Sequence, residues 1–520
     1  MKDALKRAVE RAKQEFDGVV PHTTSSSLVG GQSTTLDISE KNVYRYRKQR
    51  GLNLGSWFVL ERWICDRPFS CARPPAQSDL DVARGTNAKD ILETHWDTWI
   101  GDDDWKWIAD RGINAVRIPI GYYHICGADR TILNGTDFYP FYDTYAGAWR
   151  RVVQAIHKAS SLGIGVLIDL HAAPGKQNND AHAGTSDHAN FFGDPHNQRV
   201  TIHALRALVT SLKTIQLPPT NIIGIELLNE PAAPSDHALQ SWYTSAIASV
   251  RELDPTLPIY LGECWRTDSY TDYVVQHHSS SPGLTVLDHH LYRCFTSSDI
   301  HTSAQEHARA LGDPNGEMSK MFLRVSEKLG RAGGGVVVGE WSGALNPGSL
   351  RGTPGEEKFF VNAQLELFET TCAGWFFWTY KKQHPGDTGW SFRDSVEAGI
   401  FPSFVSGRKG EPSTFEIEQR HAARNAARDR TLGDHTRYWA QFPGKYNHQR
   451  FDDGFCCGWD DAYSFIVATP ASAKTISEIG FKGAWARKRT ADHGRSYWEF
   501  EHGFVQGSNA AVADYHAFNR

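Results

Sequence analysis

The sequence predicts an α/β fold: a closed (β/α)8 barrel of the TIM type, with an N-terminal helical extension and a C-terminal, mostly helical extension. Three observations predict it. Eight short apolar runs occur between residues 51 and 379, each followed by a longer amphipathic stretch. The runs are nearly continuous in Val, Ile and Leu, as strands covered on both faces require. Polar residues gather at the carboxyl ends of the runs, and only that face of such a barrel opens to a ligand.

The runs are GLNLG (51–55), INAVRIP (113–119), IGVLIDLH (164–171), IIGIELLN (222–229), LPIYLG (257–262), TVLDHH (285–290), GVVVGEW (335–341) and AGWFFWT (373–379). Intervening stretches such as DDDWKWIADRG and YAGAWRRVVQAIHKASSLG carry helical spacing and end in Gly. Eight units favour a closed barrel over an open sheet, whose strand number is less fixed. No GxGxxG or GxxxxGK[ST] follows any run, which argues against nucleotide chemistry. Ahead of the barrel, MKDALKRAVERAKQEF reads as an exposed helix and 23–35 (TTSSSLVGGQSTT) as a flexible linker. Beyond it, FEIEQRHAAR (415–424) and residues near 496–517 read as helices. The expected division is 1–45 as extension and linker, 46–410 as the catalytic barrel, and 411–520 as a structural cap packed on it.

Bulk properties narrow the function. The 520 residues carry a formal net charge of −5, from 55 Lys+Arg against 60 Asp+Glu, which gives no reason to expect nucleic acid or an anionic membrane. The eight cysteines form no CxxC pair and fit no zinc spacing, so they read as buried free thiols, and neither a metal nor a cofactor is expected. No apolar run reaches the length of a membrane span. The first residues lack the apolar core of a secretory signal, so a cytoplasmic location is expected; a lone sequon at Asn134 does not change that.

The run ends carry Arg117, His171, Asn229, Glu230, His290, Glu340 and Trp378. Polar groups from six strands at one face are hard to explain as packing. Glu230 closes the fourth run in Asn229-Glu230-Pro231, and Glu340 closes the seventh in Gly339-Glu340-Trp341. Cleaving a glycoside requires one carboxylic acid to protonate the leaving oxygen and a second carboxylate on the other face of the sugar. Either glutamate alone has bland explanations, such as a loop cap. Two at the ends of strands across the barrel mouth point to glycoside cleavage.

The ordered motifs resemble glycoside hydrolase family 5, specifically the non-secreted type of its fungal exo-β-1,3-glucanase branch. They run from Gly51-Leu52-Asn53-Leu54-Gly55-Ser56-Trp57 through His95-Trp96, Arg117-Ile118-Pro119 and Asp169-Leu170-His171 to Leu228-Asn229-Glu230-Pro231. Asp288-His289-His290-Leu291-Tyr292, Gly339-Glu340-Trp341-Ser342, Gly374–Thr379 and Trp390-Ser391-Phe392 complete the series. The resemblance implies a retaining reaction with Glu230 as acid/base and Glu340 as nucleophile. It implies that Arg117 and Tyr292 hold Glu340 ionised, and that His290 tunes Glu230, which must keep a proton to deliver. Asn229 would bind the sugar 2-hydroxyl, His171 would line the same subsite, Trp378 would be its floor, and Glu61 would bind the terminal glucose and help close the pocket.

One segment departs from the family. Where the glucanases carry a phenylalanine after a Gln-Asn-Gly, this chain reads Gln177-Asn178-Asn179-Asp180-Ala181-His182. Phe295 keeps the other half of that aromatic clamp. The leading expectation is an exo-acting β-glucosidase on β-1,3-glucan or its oligomers, with carbohydrate as its partner. A second reading keeps the mechanism on a lipid, sterol or other aglycone glucoside, and product analysis on laminarin beside such glucosides separates the two. A third, a non-catalytic glucan-binding protein, is disfavoured by the intact carboxylate pair.

Overall fold

The structure is a computed structural model that describes residues 38–215, 219–279, 281–406 and 414–518. The expected helix at the very start and the 23–35 linker lie outside the described residues. Eight parallel strands close into a barrel in sequence order: β1 (Gln49–Asn53), β2 (Ala115–Gly121), β3 (Gly165–Ala172), β4 (Ile222–Glu226), β5 (Ile259–Gly262), β6 (Thr285–Arg293), β7 (Gly335–Leu345) and β8 (Gly374–Phe377). Each of the eight apolar runs supplies one strand. The barrel closes through β8 beside β1, with Gly51 opposite Phe376.

Side chains alternate along a strand, so every second residue points into the barrel. The lower interior is apolar: Leu167, Ile223, Tyr260, Val286, Val337 and Phe376 are fully buried in one cluster. Higher up the interior turns polar, with Asn53, Arg117, Asp169, Glu226 and Asp288 all buried. Gly339 lets this layer close. A Cβ there would lie 2.0 Å from the Asp288 carboxylate, whose Oδ1 instead accepts the Gly339 N–H at 2.6 Å.

The tail seals the amino-terminal end of the barrel. Backbone bonds tie it to the chain entering β1: Lys48 N–H donates to Glu478 C=O at 2.7 Å, and Gly480 N–H to Tyr46 C=O at 2.9 Å. Phe481 and Trp485 then join the apolar cluster under the strands, with the Trp485 ring 4.8 Å from that of Tyr46. Arg50–Glu478 (3.0 Å) and Arg331–Glu501 (2.9 Å) link the two parts further.

Two tail helices, His448–Val467 and Tyr497–Phe518, pack at very short range. Gly454 and Gly458 of the first, and Gly503 and Gly507 of the second, stand where a Cβ would meet a partner carbonyl at 2.0–2.1 Å. Only glycine permits that approach. Among the described residues no helix is long and apolar enough to cross a membrane. The cysteines are all free, but only Cys65, Cys126 and Cys372 are fully buried, and the others stand partly exposed. Cys456 and Cys457 are neighbours on a helix, where successive side chains diverge, and Arg489 donates to the Cys457 sulfur at 3.2 Å.

Candidate active site

The carboxyl ends of β2, β3, β4, β6, β7 and β8 bring the sequence-predicted residues to one mouth. Arg117 lies at its base, completely buried. Its guanidinium donates from Nη1 to Glu340 Oε1 at 2.8 Å and to Asn53 Oδ1 at 3.0 Å. From Nη2 it reaches Asn229 Oδ1 at 2.9 Å and Asp169 Oδ2 at 3.1 Å, and from Nε it reaches Glu226 Oε2 at 2.8 Å. A planar fork of five donors suits this radial arrangement of acceptors, which a lysine's ammonium would not span.

Glu340 accepts from Arg117 on one oxygen and from the Tyr292 hydroxyl on the other at 2.9 Å. Burial raises its carboxyl above the ordinary value, while the His290 and Arg117 charges pull it back. Glu230 follows β4 on a left-handed backbone turn, with φ at 43°. Its Oε1 lies 2.6 Å from His290 Nδ1, and the same nitrogen is 3.4 Å from Glu340 Oε2. His290 Nε2 is 3.7 Å from Asp288.

One imidazole therefore stands among three carboxylates. Burial alone would lower its affinity for a proton, but Glu340, Asp288 and Glu230 together raise it well above the usual histidine value. Burial likewise raises Glu230, yet the hydrogen bond and charge of His290 outweigh it and bring that carboxyl down to about 2. This differs from the expectation that Glu230 itself holds the proton. These directions favour the proton on His290, across a short hydrogen bond from Glu230, because the imidazolium is the cation shared by all three acids.

The remaining predicted residues surround this pair. His171 Nδ1 bonds Asp169 Oδ2 at 2.6 Å, and its ring stacks parallel to Trp378, with centroids 5.6 Å apart and planes 9° apart. Trp378 is 4 % exposed. Glu61 is buried and accepts from Trp63 Nε1 at 2.9 Å; burial lifts its carboxyl to about 7. Phe295 is 72 % exposed and packs beside Tyr292 and Trp390. Trp63 and Trp390 touch at 5.3 Å and add an aromatic rim. On the 176–182 loop, Asn178 Nδ2 donates to the Glu230 carbonyl at 3.1 Å, and the His182 ring lies 4.8 Å from that of His171. Asp180 reaches the mouth here: its carboxylate, a His182 nitrogen and a Glu230 oxygen lie within 4.8 Å of one another.

Sequence analysis did not single out Asn53, Asp169, Glu226 or Asp288, which form the layer under the mouth. A signal for two of them was present. Asp169 and Asp288 each stand two residues before a predicted histidine, and period-two alternation places i and i+2 on one face. Burial, reinforced by Asp288 and Asp169, raises the Glu226 carboxyl well above the carboxylate range despite Arg117.

Comparison with known proteins agrees with this geometry. Residues 83–384 match the family described as cellulase (glycosyl hydrolase family 5), and residues 420–516 match a glucan 1,3-beta-glucosidase 3 C-terminal domain. Glucan 1,3-beta-glucosidase 3 of Schizosaccharomyces pombe is 32% identical over 494 residues, covering 92% of this chain and 97% of its own. A probable glucan 1,3-beta-glucosidase A of Aspergillus fumigatus is 30% identical over 405 residues, 69% of this chain and 88% of its own. Among solved structures, a rutinosidase from Aspergillus niger shares the fold with a TM-score of 0.55 at 19% identity, over 69% of this chain and 98% of its own. With its closed eight-stranded barrel and its carboxyl groups converging at one mouth, the chain belongs to glycoside hydrolase family 5 and is a glycoside hydrolase.

Proposed function

We propose that this glycoside hydrolase is a retaining, exo-acting β-glucosidase that releases glucose from β-1,3-glucan or its oligomers. The observation that carries the proposal is the spacing of Glu230 and Glu340, which bring one oxygen each within 4.8 Å with His290 between them. Retaining enzymes hold their two carboxyl groups about 5–5.5 Å apart, whereas inverting ones leave about 6.5–9.5 Å for a water. In this reading 46–410 is the catalytic domain and 411–520 its cap.

Glu340 is the nucleophile. Donors on both its oxygens favour the ionised form and aim it at the anomeric carbon. Glu230 is the acid/base. As the glycosidic bond breaks, Glu230 passes to the leaving oxygen the proton it takes from His290 across their 2.6 Å contact, and is left as the carboxylate. In the second half-reaction Glu230 takes a proton from water, which attacks the glycosyl-enzyme. Asn229, held by Arg117, presents its amide to the sugar 2-hydroxyl. Trp378 and the Trp63–Trp390 rim stack on the sugar, and Glu61 binds hydroxyls at the closed end. Asp180, where the related glucanases carry an aromatic ring, favours a second reading of the same mechanism: a leaving group that donates hydrogen bonds, on an aglycone other than glucan.

Azide separates the two glutamates. Glu340→Ala is expected to lose at least about 10⁴-fold in turnover on every substrate. Glu230→Ala, given an activated aryl glucoside, is expected to form the intermediate and stall until azide restores turnover as the β-glucosyl azide. An α-azide from Glu230→Ala, or mixed long oligomers early in laminarin digestion, rejects this assignment.

A further inference from the structure

A second cavity, of about 1160 Å³, lies at the far end of the barrel, between its amino-terminal side and the tail. Its tail wall carries Trp439, Tyr446 and Trp498. The Trp439 ring is 4.9 Å from each of the other two, and all three rings are only partly buried. Such a wall offers apolar faces to a ring-shaped ligand.

Two ammonium groups line the same cavity. Lys48, which is buried, donates to the carbonyls of Glu369 at 2.6 Å and Cys372 at 2.9 Å. Lys482 donates to Asn509 Oδ1 at 2.6 Å. Among the described residues neither holds a carboxylate. The nearby acids are engaged elsewhere: Glu369 and Glu478 both pair with Arg50, and Glu501 pairs with Arg331. Burial, followed by the charge of Lys48, brings the Lys482 amine down to about 8. Two ammonium groups that line one cavity and bond only neutral acceptors leave room for an anion to complete the site. The whole chain is acidic, so this cationic floor is a local inversion. The volume exceeds what a bare phosphate fills and suits a ligand that also has a ring.

We infer that this cavity binds a small phosphate ester, with its phosphate on Lys48 and Lys482 and its ring against the Trp439–Trp498 wall. A sugar phosphate and a nucleotide share that chemistry. Titration calorimetry on the full chain distinguishes them, using glucose 6-phosphate, uridine 5′-monophosphate, inorganic phosphate and glucose as probes. The expected result is that at least one ester binds about tenfold or more tighter than both inorganic phosphate and glucose. Lys482→Met and Trp498→Leu should each weaken that binding by about tenfold or more, with aryl glucoside turnover unchanged. In the unmodified protein, the bound ester should also shield Lys482 from acetylation, read by mass spectrometry, which needs no variant to fold. The inference is overturned if neither ester surpasses inorganic phosphate, if both variants bind as before, or if acetylation of Lys482 proceeds equally with the ester present.

Discussion

At its carboxyl mouth the barrel buries Asp169, Glu226 and Glu340 around Arg117, whereas at its amino mouth it buries Tyr260, Val337 and Phe376 under Phe481 and Trp485. The two ends keep water out by different means. The lower end relies on apolar area, which is non-directional and tolerates small shifts. The upper end relies on matched charge, which is unforgiving because each group left unpaired in the interior costs several kcal/mol. In the proposed function turnover belongs to the upper end alone, whereas both ends contribute to stability.

Removing the guanidinium tests the upper end most severely. Arg117→Met leaves Asp169, Glu226 and Glu340 without their common cation. It is expected to cost about 3–5 kcal/mol in urea unfolding and about 10²-fold or more in kcat/KM on an aryl glucoside. A variant that keeps its stability would show the polar layer to be less tightly coupled than its geometry states.

Trp485→Ala makes the opposite cut. The fully buried indole contacts Tyr46 and Phe465, so its loss is expected to cost about 3–5 kcal/mol. At temperatures where the variant is folded, kcat and KM should stay within about twofold. A large fall in kcat would show that the two ends communicate.

The smallest effect is one of pH. Burial lifts Glu61 to about 7, above its unfolded value. The folded state therefore binds more protons than the unfolded one, and the stability this group contributes is lost as pH rises from about 4.5 through about 7. Glu61→Gln should flatten the fall in melting temperature across that window. An unchanged slope would place the Glu61 carboxyl in a wetter site than its burial implies.

The eight strands were legible because burial on both faces writes near-continuous apolar runs, from Leu52 to Phe377, and strand ends that must not pack stand out as polar. Arg117, Glu230, His290 and Glu340 were legible for the same reason. The layer beneath them was not. Asp169, Glu226 and Asp288 sit inside strands that otherwise read as core, and what makes them bearable, a guanidinium from another strand, is a non-local fact. The raised proton affinity of His290 was hidden likewise, since it depends on Glu230 after β4, Asp288 on β6 and Glu340 on β7 meeting one ring. In the tail, the spacing of Gly454 with Gly458 and of Gly503 with Gly507 was visible, but which helix met which was not. The replacement at Asp180 was plain in the sequence, and its approach to Glu230 came only with the fold.

The left-handed turn at Glu230 has a consequence for what a substitution there can gain. A non-glycine residue with φ at 43° stores about 1–3 kcal/mol of strain, and Glu230 also places a carboxylate in a crowded acidic mouth. Glycine would rest there without protest. Discarding the side chain would relieve that strain but leave the His290 imidazole short of one carboxylate, so what the backbone gains the ion pair largely gives back.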